Sequence, residues 1–243
     1  MPTGDAGYDW AVSVADPSSL SPAIQDYLKA VFLLSEDRGG EEGVTGGRIA
    51  EALGVTAPSV SNMLDRLEGL GYLETADDGS DRRAGVCLTE AGRRVALAVV
   101  RHHRLLETYL VRRLGMTWDE VHREAEVLEH HISETLAERM ADALGHPERD
   151  PHGHPIPGAD GTIPPPAGVP LIDLPLGTTG RIERVSDRDS DLLRYLADRG
   201  LVPQAEVQVI DVAPFGGPIT VRVGESALVD VPPGAAEALE ITL

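Results

Sequence analysis

The sequence is poor in cysteine, in positive charge and in long apolar runs. Cys87 is the only cysteine, which excludes an internal disulfide and a cysteine-built zinc cluster and fits a cytoplasmic location. No apolar stretch approaches the roughly 18 residues that span a bilayer, so no membrane partner is expected. The first twenty residues carry three acids and no Lys or Arg, unlike the basic start of a signal peptide. Lys29 is the sole lysine, and arginine supplies the other basic side chains. The formal net charge is −19, which on its face argues against nucleic acid.

The distribution of that charge weakens the objection. Residues 44–94 are net −2, whereas residues 145–243 are net −8. Hydrophobic residues make up 42% of the 243-residue chain, enough for a folded protein of one or two domains. Residues 1–20 read as an irregular arm broken by Pro2, Gly4, Gly7 and Pro17. Ser21-Pro22 is a helix start, and Ile24, Leu28, Val31 and Phe32 follow at helical spacing.

A short helix from Thr45 to Leu53, the turn Gly54-Val55-Thr56, a helix carrying Val60, Met63, Leu64 and Leu67, and two strands around residues 77–83 then follow in order. Two longer helices are expected at roughly 90–114 and 117–144. Residues 145–175 hold half of the chain's prolines and read as a semi-extended linker. Beyond it, short β segments at Gly180–Val185, Glu206–Val212, Ile219–Val223 and Leu228–Val231, with one helix near Asp189–Arg199, predict a small SH3-like barrel. The fold class is therefore α+β, with a winged helix-turn-helix over 21–94, long helices over 95–144, the linker, and the SH3-like domain over 176–243.

Helix, turn, helix and hairpin is the order of a winged helix-turn-helix, whose second helix reads the major groove. Thr56, Pro58, Ser59, Ser61 and Asn62 lie on its early turns. Asparagine can pair with adenine, and hydroxyls reach phosphates or bases. Arg82 and Arg83 at the wing tip are candidates for phosphate or minor-groove contact. The plainer alternative is a winged helix that binds protein only.

His122, Glu126, Glu129 and His130 fall within about 100° of arc on one helix, beside the apolar positions Val121, Ala125, Leu128 and Ile132. His103 and Glu107 share a face of the preceding helix. Carboxylates and imidazoles at the edge of a core are costly unless paired or bound to a cation, and this donor set suits borderline-to-hard divalent ions. A solvated polar stripe is the alternative for any one of these residues, and a metalloenzyme is the alternative for the set. The chain lacks a nucleophile elbow, a phosphate loop and a His-Glu-x-x-His pair, which disfavours the enzyme.

Over residues 20–243 the chain resembles the diphtheria-toxin-repressor family of metal-dependent regulators. The resemblance is carried by Gln25-Asp26-Tyr27-Leu28, the Thr56–Asn62 reader, Leu88-Thr89-Glu90-Ala91-Gly92, Arg101–Glu107, His122–His130, His152-Gly153-His154-Pro155-Ile156-Pro157 and Gly200-Leu201-Val202-Pro203. It implies a homodimer on double-stranded operator DNA, with the helices over 95–144 as its dimerisation and metal-binding domain, and two metal sites per subunit. The regulatory site would use Asp26, Glu126, Glu129 and His130; the second would use His103, Glu107, His122 and an acid of the C-terminal domain, matched best by Asp189, with Asp187 and Asp191 close in register. Iron-sensing members have sulfur ligands where this chain has Asp26 and Glu126, and manganese-sensing members have carboxylates there. Hard oxygen ligands favour Mn2+ over softer ions, with Fe2+ the alternative. Lys29 stands where some manganese sensors carry another acid.

Overall fold

Proline at the first helical position starts α1, Pro22–Glu36. Its Ile24, Leu28, Val31 and Phe32 are buried, as the spacing predicts. The computed structural model describes residues 19–36, 43–76, 85–164 and 168–243. The 1–20 arm, apart from Ser19 and Leu20, and the wing-tip Arg82 and Arg83 lie outside the described residues.

The chain forms two units: residues up to Val100 with His130–Glu134, and Arg101–Glu129 with Thr135–Leu243. In the first unit α2 (Gly46–Leu53) ends at Gly54, whose φ of 63° closes the helix. Helix α3 (Ala57–Gly69) buries Val60 and Leu67. Strands β1 (Leu73–Thr75) and β2 (Val86–Leu88) pair antiparallel, and Val44 bridges to Val86. This is a winged helix-turn-helix.

Helix α4 (Glu90–Leu114) begins in the first unit and continues in the second. Thr89 starts it: its hydroxyl accepts the Gly92 N–H at 3.1 Å and donates to the Gly71 carbonyl at 2.7 Å. A Cβ on Gly92 would lie 2.0 Å from the Tyr72 carbonyl oxygen, so glycine lets α4 start directly against the end of the hairpin. The Thr89-Glu90-Ala91-Gly92 run thus has a physical reason.

The expected single helix over 117–144 is two, α5 (Val121–Leu128) and α6 (Glu134–Leu144). Ile132 is buried in the break, and Ser133 followed by Glu134 is a fresh helix start.

In the second unit, residues 145–164 hold no helix or strand but are not a bare tether. Asp150, His152 and Ile156 are buried, Arg104 donates to the Pro155 carbonyl at 2.6 Å, and Arg101 donates to that of Pro157 at 2.8 Å. The SH3-like domain follows as β3 (Val169–Pro170), a 3-10 turn (Leu171–Asp173), β4 (Thr179–Val185), α7 (Ser190–Ala197), β5 (Glu206–Val212), β6 (Ile219–Val223), β7 (Ala227–Val231), α8 (Pro233–Glu237) and β8 (Leu239–Thr242). The sheet is antiparallel in the order β3-β8-β4-β5-β6-β7. Irregularities between Ile182 and Arg184 and between Val209 and Asp211 bend it. Ile182, Val185, Leu193, Leu196, Val207, Val221, Leu239 and Ile241 fill its core. Strand β8 lies beyond the segments expected from sequence, yet it sits inside the sheet. No helix among the described residues is long and apolar enough to cross a membrane.

Candidate metal centre and nucleic-acid interface

Helix α4 turns His103 and Glu107 to one side, four residues apart, and buries both. His103 Nδ1 is 2.5 Å from Glu129 Oε2. Its Nε2 lies 3.0 Å from Glu107 Oε1 and 3.1 Å from His122 Nδ1. Glu129 is itself buried at 2% exposure, and a carboxylate that holds one imidazole nitrogen aims the other at a metal. His122, on α5, is 3.2 Å from Glu107 Oε1 and 3.8 Å from Asp187 Oδ2.

Asp187 follows β4, and it is this acid that joins His103, Glu107 and His122 within metal-binding reach. The expected Asp189 does not. Its Oδ1 accepts the N–H groups of Asp191 and Leu192 and so caps α7, a local demand that turns the side chain to its own helix. The two acids are two apart in a loop, where no periodicity tells which faces inward.

His152 also enters this cluster, from the stretch read as a linker. Its Nε2 donates to the Trp118 carbonyl at 2.7 Å, which leaves Nδ1 facing Glu107 Oε2 at 3.5 Å. The turn that carries it depends on Gly153, at φ 93°, where a Cβ would lie 2.0 Å from the Glu183 carbonyl oxygen. The signal was present as Asp150-x-His152-x-His154, but proline density outweighed it.

The electrostatics are those of anions holding cations. Burial disfavours the Glu107 anion, yet His103, His122 and His152 keep its carboxyl well below the usual range. Burial pushes the His122 imidazole down, but the bonds to Glu107 and Glu126 and the charge of Asp187 raise it to about 10. His152 rises to about 9 against burial through Glu107, Asp150 and Asp187. Asp187 is lowered to about 2, burial being overcome by His154, His122 and His152. Glu107 Oε2 and His152 Nδ1 are buried without a hydrogen-bond partner among the described residues. Such orphans are costly, and a divalent cation between nitrogen and oxygen donors would satisfy both, so the residues fit a metal.

In the first unit, Asp26 Oδ1 lies 3.0 Å from His130 Nε2. Gln25, buried on α1, turns its Oε1 to His130 Nδ1 at 2.8 Å and donates to the Leu20 carbonyl. Gln25 therefore sets the imidazole that faces Asp26, a role the sequence alone did not reveal. Glu126 stands on the exposed side of α5, its Oε1 3.5 Å from His122 Nε2.

Thr56, just before α3, and Pro58, Ser59, Ser61 and Asn62 on its early turns are all exposed. The Thr56 and Ser59 hydroxyls pair at 3.0 Å, and Ser61 donates to the Ala57 carbonyl. The buried Val60 and Leu67 anchor the opposite face, so the polar early turns are presented together.

Three family descriptions match consecutive parts of the chain: iron dependent repressor, N-terminal DNA binding domain, over 19–80; iron dependent repressor, metal binding and dimerisation domain, over 89–158; and FeoA domain, over 169–243. The iron-dependent repressor IdeR of Mycobacterium tuberculosis is 37% identical over 230 residues, 88% of this chain and 94% of its own. The diphtheria toxin repressor of Corynebacterium glutamicum is 34% identical over 197 residues, 76% of this chain and 82% of its own. A solved manganese-dependent transcriptional repressor in complex with manganese superposes with a TM-score of 0.82 at 41% identity, covering 90% of this chain and 99% of that one.

Proposed function

Since this chain belongs to the family of iron-dependent and diphtheria-toxin repressors, we propose that it is a metal-activated transcriptional repressor that senses manganese and controls metal-uptake genes. As in that family, it binds operator DNA through the N-terminal helix-turn-helix, dimerises through the metal-binding domain and is not an enzyme. The reading helix is α3, with Thr56, Pro58, Ser59, Ser61 and Asn62 at the DNA and Arg82 and Arg83 as further DNA contacts. A protein of this kind works in the cytoplasm.

The observation that carries the metal reading is the meeting of the buried His103 and Glu107 with the half-buried His122 and Asp187, where Glu107 Oε2 has no protein hydrogen bond among the described residues. These residues make the second site, with Asp187 in place of Asp189. Asp26 and His130, 3.0 Å apart in the first unit, are assigned to the regulatory site. The bound ion supplies positive charge that joins these side chains. Its differential affinity for the DNA-competent arrangement sets the spacing of the two α3 helices in the dimer at about one helical turn, roughly 34 Å.

Manganese is favoured over iron because Asp26 and Glu126 offer oxygen and no sulfur. One relative is an iron-dependent repressor and another a manganese-dependent one, which makes iron the alternative. Calorimetric affinities for the two ions test this, in the wild type and in the double variant Asp26→Met with Glu126→Cys. The preference should move toward iron in the variant; an unchanged manganese-to-iron ratio contradicts the ligand argument. Asp26→Ala with His130→Ala should abolish manganese-stimulated DNA binding, and a retained response would remove the regulatory-site assignment.

A further inference from the structure

Beside the second site lies another set of donors. Asp150 Oδ1 accepts the backbone N–H groups of His152 at 2.8 Å and His154 at 2.9 Å, so one tight turn gathers all three side chains. Among the described residues Asp150 Oδ2 is buried without a hydrogen-bond partner, as are the Nδ1 atoms of His152 and His154. Asp150 Oδ2 faces His154 Nδ1 at 3.4 Å, and these atoms lie within 4.8 Å of one another. Arg104 Nε stands 3.9 Å from Asp150 Oδ2, a distant pairing that leaves the oxygen without a hydrogen bond.

Two carboxylates connect this trio to the first. Glu107 turns Oε1 to His103 and His122, and Oε2 to His152 at 3.5 Å. Asp187 Oδ2 stands 3.8 Å from His122 Nδ1 and 3.8 Å from His154 Nδ1. Each therefore has one imidazole set on either side, the disposition of carboxylates that bridge two ions about 4 Å apart. Both sets are also oriented from behind: Glu129 holds His103, and the Trp118 carbonyl holds His152. The side chains of His122 and Asp187 are 26% and 21% exposed, which gives ions a way in.

We propose that Asp150, His152 and His154 hold a further divalent ion, so that this pocket takes a pair of ions bridged by Glu107 and Asp187. The proposal rests on the reading of His103, Glu107 and His122 as metal ligands. A paired centre makes occupancy at one position depend on the other, because each ion needs the bridging carboxylates held in place. The second unit then responds to metal more steeply than a single ion allows.

The test uses the full-length protein saturated with manganese(II) and freed of excess. Metal content and the electron paramagnetic resonance spectrum are compared among wild type, His154→Gln, Asp150→Asn and His122→Gln. Asp150→Asn retains the oxygen that accepts the two backbone N–H groups, so it keeps the turn. The proposal expects the wild type to hold one more equivalent than His154→Gln or Asp150→Asn, and to show an exchange-coupled signal that both variants lose. Equal content in all three, with an uncoupled wild-type spectrum, overturns it. A content that falls with His154→Gln but not with His122→Gln overturns the shared pocket, and His122→Gln without effect removes the underlying second-site reading as well.

Discussion

At Gly92 two residue-level effects oppose each other: alanine is the better helix former by about 1 kcal/mol, but its Cβ would lie 2.0 Å from the Tyr72 carbonyl oxygen. The clash is with backbone, which cannot swing aside, so it should win. Gly92→Ala is expected to destabilise by about 1–3 kcal/mol, read as a lower midpoint in thermal denaturation; an unchanged or higher midpoint contradicts this packing. The ionisable residues make a second prediction. His122 and His152 titrate near 10 and 9 when metal-free, above their ordinary value of about 6.5. The stability they give the metal-free protein is complete below pH of about 6.5 and is lost as pH rises through those values. A divalent ion must displace their protons, so manganese affinity should rise with pH above neutrality, by up to about tenfold per unit for each proton released. Calorimetry in buffers of different ionisation enthalpy reads that release, and affinity that is flat between pH 6.5 and 8 contradicts it. Most of these side chains are legible as donors, because His103 and Glu107 stand four apart on one helix and His122 and Glu126 four apart on the next. Asp187 was not separable from Asp189 in sequence, since a helix cap and a cluster member are both a loop aspartate until the loop's course is known.

At the scale of elements, α3 separates a buried apolar face from an exposed polar one. Val60 and Leu67 are buried while Ser59, Ser61 and Asn62 are exposed. Asn62→Ala should therefore weaken operator binding by about 1–3 kcal/mol and leave the thermal midpoint unchanged; an equal loss on operator and unrelated DNA would remove the base-reading role. The helices and the wing strands were readable because apolar period and turn residues agree there. The break between α5 and α6 was not, because residues on both sides of Ser133 keep a helical period while Ile132 is drawn into the core between them. Strand β8 shows the same limit: Leu239 and Ile241 alternate with Glu240 and Thr242 over only four residues, and its place beside β4 is set by long-range pairing. The 145–164 stretch misleads through composition. Proline forbids helix and sheet there, but Asp150, His152 and Ile156 are buried all the same.

For the whole molecule, a net charge of −19 sets a strong background repulsion against DNA, and metal binding among clustered carboxylates reduces it. Metal is thus the condition for DNA binding as well as a stabiliser of the fold. The most direct test is fluorescence anisotropy of the full chain on DNA from its own promoter and the nearest metal-transporter promoter. Manganese, iron(II) and zinc are titrated in turn, with a chelator control. Binding is expected only in the presence of metal, with manganese effective at physiological free concentrations and the signal reversed by chelator. Tight binding in chelator, with no gain on adding any of the three ions, would contradict it.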